Sequence, residues 1–469
     1  MSLLASGLML GLAASPAGAA IILTGANSPN STGGADPWSV GSDLIIGASA
    51  TGGMTVNGGS DVSNSGGSLA GGTADSVGTV TVDGAGSTWT GNGTLVVGSN
   101  GSGMLNIQNG GTVSNSGCTI GNTAAAVGTV TVDGVGSMWS NGGGLAVGSL
   151  GKGTLNINNS GLVIATGLNG GNVNSSVNFD GGTLRVLNTD SATNIITLGA
   201  GGGTLDILTA ANTFTINSGI SGAGGLSKTA AGTLALTAAN TYQGNTLVSE
   251  GKLTLSGAGS FASSPTITVQ NGTTLVVSNV TSGLNHDGTR FTLASGQTLK
   301  GNGTVTGAMD IAAGATIAPG ESIGTLSTAS LFLTDINSDF NPEIDLGPTL
   351  AADLLNVTGT VSLNNSTLDL SLLNPSLIGL PKTFLLVNND GGLLDPVVGV
   401  FGTVHVPAGY LAVANTAFLG IDALGRVGDG NDIAVTISTL VPEPASLTLL
   451  AVIAVTFALA AFRRRRVAL

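Results

Sequence analysis

The chain has 469 residues, 78 of them glycine, and only 8% are Asp, Glu, Lys or Arg, against roughly a quarter in ordinary globular proteins. Apolar residues make up 42% of the sequence, with Val, Leu and Ile spread in short runs, which argues against a disordered polymer. Between Ala20 and Val441, 8 basic residues face 24 acidic ones, and the resulting formal charge of −16 disfavours nucleic acid and anionic membrane surfaces as partners.

Residues 3–14 are almost wholly apolar, and Ala17-Gly18-Ala19 follows with small residues at the two positions a signal peptidase reads. Residues 1–19 are therefore expected to be a signal peptide, cleaved after Ala19 or Ala20. No Lys or Arg precedes the apolar run, which departs from the usual pattern. The sole cysteine, Cys118, forms no internal disulfide and is expected as a small buried apolar residue.

Residues 20–166 carry an internal repeat of about 50 residues. GTVTVDGAGSTW at 78–89 returns as GTVTVDGVGSMW at 128–139, and a second block follows each: LVVGSNGSGMLNIQNGGTVSN from Leu95 and LAVGSLGKGTLNINNSGLVIA from Leu145. A degenerate third copy starts earlier, with Trp38 and LIIGASATGGMTVNGGSDVSN from Leu44. Trp38, Trp89 and Trp139 each stand six residues before their block, a regularity that marks them as packing landmarks. Inside each copy, apolar residues alternate over three to five positions, as in Val80 with Val82 and Leu105 with Ile107, between Gly, Asn, Ser and Asp. These are short strands joined by tight turns. A 50-residue unit built from them fits two or more coils of a β-solenoid, each burying its apolar face on the next. A β-sandwich array has similar turn spacing and is the alternative architecture.

Residues 167–330 are expected to continue the solenoid. Within them, SGAGGLSKTAAGTLALTAANTYQGNTLVSEGKLTLSG at 221–257 places Gly222, Gly224, Leu226, Lys228, Gly232, Leu234, Asn240, Tyr242, Gly244, Thr246 and Gly251 in a characteristic order. This segment resembles the autotransporter-associated β-strand repeat, and LKGNGTVTGAMDIAAGATIAPGESIGTLS at 299–327 resembles the stretch that follows such repeats in autotransporter passengers. The resemblance covers about 70 residues and implies a right-handed parallel β-helix, a stalk exposed at the cell surface. The amphipathic ten-residue strands that end that family in a membrane barrel are not found near the end of this sequence. The passenger-like body is thus expected to use a different export route.

Residues 331–440 hold fewer glycines and longer apolar runs, and are read as a β-rich C-terminal module capping the solenoid's open edge. VGDGNDIAVTIS within it resembles the closing strand of passenger-type proteins. Its Asp429, Asn431 and Asp432 form a weak calcium candidate, with a plain solvated turn as the favoured reading. No other cofactor or metal is expected.

The tail, residues 441–469, starts with Val441-Pro442-Glu443-Pro444, continues through an uncharged apolar run at 445–462, and closes with Arg463, Arg464, Arg465 and Arg466. Eighteen residues make a helix of roughly 27 Å, enough to cross a bilayer, with the arginines held in the cytoplasm. This order of parts resembles the PEP-CTERM sorting tail of Gram-negative bacteria. That resemblance implies transient residence in the inner membrane, processing by an exosortase-type enzyme, and delivery to the cell surface or extracellular matrix. A plain C-terminal anchor is the simpler alternative.

Catalytic constellations are thin. His286 and His405 are 119 positions apart, and His286 next to Asp287 would point to the opposite face of an extended segment. No nucleophile elbow, phosphate loop or His-Glu-x-x-His is present. The sequence is therefore read as a non-enzymatic structural or adhesive protein associated with exopolysaccharide. A β-helix lyase or glycosidase and a protein-binding adhesin are the alternatives.

Overall fold

The computed structural model describes residues 20–29, 36–69, 73–172, 174–376, 379–389 and 395–440. Residues 1–19, with Ala17 and Ala19, lie outside this set, as do 441–469 with Pro442, Glu443, Pro444, the 445–462 segment and Arg463 to Arg466. Among the described residues there is no helix, and hence none long and apolar enough to cross a membrane.

The described chain is a parallel β-solenoid. In its first half each coil contributes one strand to each of three sheets: sheet A, beginning with Ala20–Gly25; sheet C, beginning with Trp38–Val40; and sheet B, which takes in Leu44–Ile46. Val77, Ser102, Val127 and Lys152 stand in register on successive sheet A strands, so one coil is 25 residues long. The 50-residue sequence repeat is therefore two coils.

The reason lies in sheet C. Its inward column runs Trp38, Val62, Trp89, Val113, Trp139, Val163, alternating large and small from coil to coil. Two neighbouring tryptophans would overfill the interior, so close packing favours the alternation. Trp89 and Trp139 are buried, while Trp38, in the first strand of the sheet, is half-buried. In sheet A the columns Val80, Leu105, Val130, Leu155 and Val82, Ile107, Val132, Ile157 are fully inside. Each such side chain stabilises the rod by about 1.5–3 kcal/mol relative to exposure. Cys118 lies in the same core, and burial pushes its thiol pKa well up.

Glycine sets one corner of the coil. Gly98 and Gly121 take φ of 74°, and a Cβ there would stand 2.5 Å from the carbonyl oxygen of Val127 and 2.4 Å from that of Lys152. Left-handed backbone and carbonyl contact from the next coil leave room only for hydrogen.

The cross-section changes along the rod. Sheet B ends at Leu168–Gly170 and sheet D begins at Asp190–Ala192; sheet A ends at Ile220–Gly222 and sheet E begins at Phe291–Leu293. Between the last two, buried side-chain amides link the coils where the third face has no strand ladder. Asn240 accepts the Ile220 N–H at 2.8 Å and donates to the Ser260 carbonyl at 2.7 Å. Asn285 accepts the Phe261 N–H at 3.0 Å, and Gln297 donates to the carbonyls of Phe261 and Ser264 at 2.8 and 2.7 Å. Main-chain groups left without a sheet partner are thereby satisfied.

The composition change at 331 does not coincide with a break in the ladder: sheets C, D and E run across it, sheet C as far as Thr403–His405. The solenoid closes instead with the hairpin Tyr410–Ile421 and Val427–Thr439, whose second strand pairs antiparallel with Lys382–Asn389. Asp422 fastens its turn. One carboxylate oxygen accepts the N–H groups of Leu424 and Arg426, and the other accepts the Leu385 N–H at 2.9 Å and Arg426 Nε at 2.8 Å. Burial alone would raise this carboxyl, but those amides and the guanidinium outweigh it and hold it below the usual range. At the other end, Ala20–Gly25 lies antiparallel to Thr51–Asn57 and covers the first edge of sheet A.

Candidate functional site

Strand alternation that sends Val80 and Val82 inward sends Thr81 outward, and the coil register repeats this at every level. Thr81, Asn106, Thr131, Asn156, Asn178 and Thr197 form an unbroken outward column on sheet A, spaced by about 4.8 Å along the rod. The column is uncharged. Parts of it are linked to each other, as where Asn178 Nδ2 donates to Asn156 Oδ1 at 2.9 Å. Sheet C carries a parallel hydroxyl column, with Ser63 donating to Ser39 at 3.1 Å and Ser114 to Thr90 at 3.3 Å. Such a surface offers many weak, regularly spaced donors and acceptors.

Ionisable groups are used structurally. Lys228, buried beneath the corner between sheets C and D, donates to the carbonyls of Thr229, Ala230 and Glu250 at 2.7, 2.6 and 3.2 Å. Burial pushes its pKa down to about 8, against the pull of Asp206 and Glu250. Asp353 is fully buried, one oxygen accepting the Gly324 N–H and the other the Glu343 N–H, each at 2.7 Å. Burial outweighs those amides and raises its carboxyl to about 7. Neither group faces a cleft.

His286 and Asp287 form a turn. His286 Nδ1 accepts the Gly288 N–H at 3.0 Å, while Asp287 accepts from Thr289 and Arg290. The Arg290 and Thr289 amides hold the Asp287 carboxyl well below its usual range. Arg290 then bridges to Asp310 at 2.9 Å, with its guanidinium 3.9 Å from the Phe332 ring centre. His405 is far along the rod, 4.0 Å from Asp369, both exposed. Asp432 is buried, its oxygens accepting the N–H groups of Asn389 and Asp429, each at 2.8 Å, and Asn431 points its amide to the Asp395 carbonyl at 3.3 Å. Among the described residues no three His, Cys, Asp or Glu side chains gather closely enough to hold a metal ion.

The residues of the 221–257 motif now have physical roles. Lys228 caps carbonyls, Asn240 joins three coils, and the buried Tyr242 hydroxyl lies 2.6 Å from Thr246 Oγ1, which continues to Ser264 at 3.0 Å.

A concavity that sequence reasoning missed lies on the outer face of sheet C. It measures about 530 Å³ and spans four coils, with Thr204, Ser227, Leu247 and Thr268 in register along its floor, Gly201, Gly202 and Gly225 at one wall, and Asn245 and Glu321 at its rim.

No family model matches the chain. It is 38% identical over 125 residues to an extracellular serine protease of Serratia marcescens, covering 27% of this chain and 9% of that protein. It is 32% identical over 183 residues to the adhesin BmaC autotransporter of Brucella suis biovar 1, covering 38% of this chain and 5% of that protein. The chain thus spans less than a tenth of the length of these curated relatives. A solved structure, a TibC-catalysed hyper-glycosylated TibA fragment, aligns over 79% of this chain and 98% of its own at 13% identity, with a TM-score of 0.23 at which nothing is argued from it. Over these stretches the chain is similar to parts of an extracellular protease and of an autotransporter adhesin, and its own fold is a β-solenoid.

Proposed function

We propose that this chain is a non-enzymatic, exported structural or adhesive protein of the cell surface or extracellular matrix of a Gram-negative-type bacterium, a right-handed solenoid rod that associates with exopolysaccharide. The observation that carries this reading is the uncharged hydroxyl and amide column of sheet A, from Thr81 to Thr197, on an otherwise acidic body. Many weak contacts at fixed spacing suit an extended, repetitive ligand better than a single small molecule. The adhesin likeness supports the same class of role.

In this reading signal peptidase removes residues 1–19, and residues 441–469 hold the chain in the inner membrane until an exosortase-type enzyme acts near Pro442, Glu443 and Pro444. Mass spectrometry of the mature protein from the matrix fraction of native cells tests it. A C-terminus between Val441 and Ala445 supports the sorting route, whereas an intact Leu469 in the membrane fraction reduces the tail to an anchor. A protein-binding adhesin is the second reading, favoured by the same adhesin likeness. It predicts stoichiometric capture of one receptor from neighbouring cells.

A further inference from the structure

We infer that the concavity on sheet C is a subsite for a neutral polysaccharide segment of about two or three sugar rings, the length a pocket of this size accepts. The inference rests on the glycan-associating reading above and adds a discrete subsite to the sheet A column. In places on the rod outward hydroxyls pair with one another, as Ser63 does with Ser39 and Ser114 with Thr90. Along this floor the hydroxyls of Thr204, Ser227 and Thr268 make no side-chain hydrogen bond among the described residues, and neither do the Asn245 amide or the Glu321 carboxylate. Thr268 is only 7% exposed as a residue, and its hydroxyl opens on the groove without a protein partner, available to a ligand.

Shape and chemistry then select the ligand. The wall is main chain, because Gly201, Gly202 and Gly225 carry no side chain, and a ring can approach the backbone there. Leu247, between Ser227 and Thr268 in the floor, offers an apolar patch to the C–H face of a pyranose. Glu321 can accept from two adjacent ring hydroxyls and repels uronate or sulfate groups. A neutral glycan satisfies all of these groups at once.

The test measures binding of full-length protein in detergent to laminarin, dextran and alginate, with variants Ser227→Arg, Thr268→Val and Glu321→Gln in the groove and Thr131→Arg on sheet A. The expected result is binding to a neutral glycan, at least tenfold weaker with Ser227→Arg, several-fold weaker with Thr268→Val and Glu321→Gln, and less than about twofold weaker with Thr131→Arg, which alters one of the many weak contacts of the sheet A column. Alginate should bind at least tenfold more weakly than the neutral glycan. Should Ser227→Arg lose its β-sheet circular dichroism, Thr268→Val, which removes only the unpaired hydroxyl, decides the matter. Neutral-glycan binding that survives the groove variants and falls with Thr131→Arg overturns the subsite and leaves the glycan reading standing. Equal or tighter binding of alginate overturns the neutral-ligand assignment, and failure of both neutral glycans to bind overturns subsite and reading together.

Discussion

Asn115 Oδ1 accepts the indole N–H of Trp139 at 2.8 Å across one coil boundary, and Asn64 does the same for Trp89 at 2.7 Å. The small Val coil therefore supplies the acceptor for the large Trp coil. The two-coil repeat is a unit of hydrogen bonding as well as of volume.

Asn115→Leu removes that acceptor and a bond to the Gly117 carbonyl at 2.6 Å, leaving buried polar groups without partners. The variant should lose about 1–3 kcal/mol of stability in urea unfolding followed by tryptophan emission. Adding Trp139→Phe should cost less than the two single changes summed, since the indole N–H is then gone as well.

The Gly98 corner predicts a different penalty. Gly98→Ala forces a Cβ against the Val127 carbonyl in left-handed backbone and should cost about 2–4 kcal/mol. Gly296 has a similar φ of 78° with nothing within 4 Å of a Cβ, so Gly296→Ala should cost only about 1 kcal/mol. Thermal unfolding of the pair separates backbone strain from collision with the next coil.

Lys228 makes stability depend on alkaline pH. Its folded pKa of about 8 lies below the ordinary 10.5, so the unfolded chain holds the proton more tightly between these values and stability rises as pH climbs through that window. The contribution is of order 3 kcal/mol, fully present above 10.5 and lost below 8. Lys228→Met should abolish this slope and, at pH 7, expose three carbonyls to an apolar side chain with a net loss of stability. Denaturation midpoints of both proteins between pH 7 and 10.5 check the sign.

Asp353 works the other way at lower pH. Its carboxyl is raised to about 7, so its contribution is complete below the ordinary carboxylate range and fades as pH rises through 7. Asp353→Asn should flatten that part of the profile while costing about 1–3 kcal/mol at pH 7, because one of the two backbone N–H groups loses its acceptor. The difference between variant and wild-type midpoints from pH 4 to 8 isolates this group from the other acids.

Alternation such as Val80-Thr81-Val82 is local physics, so the strands and the solenoid could be read from residues alone. The coil length was harder, because Val62 and Val113 stand where Trp38, Trp89 and Trp139 stand in alternate coils and make one coil look like half a repeat. The engagement of Asp432 by the Asn389 amide, 43 positions away, is a long-range fact with no sequence signal. The sheet C groove escaped for the same reason. Its floor collects Thr204, Ser227, Leu247 and Thr268 from four separate coils, and its wall is main chain. Lys228 and Asn240 were visible as motif members, but only the stacked coils give each a task.

Glycan binding and chain cleavage can be followed together by incubating the full-length protein with matrix polysaccharide and measuring both retained glycan and newly formed reducing ends. This account predicts glycan held on the rod with no rise in reducing ends. A steady release of reducing ends that disappears when a single carboxylate is replaced would contradict it.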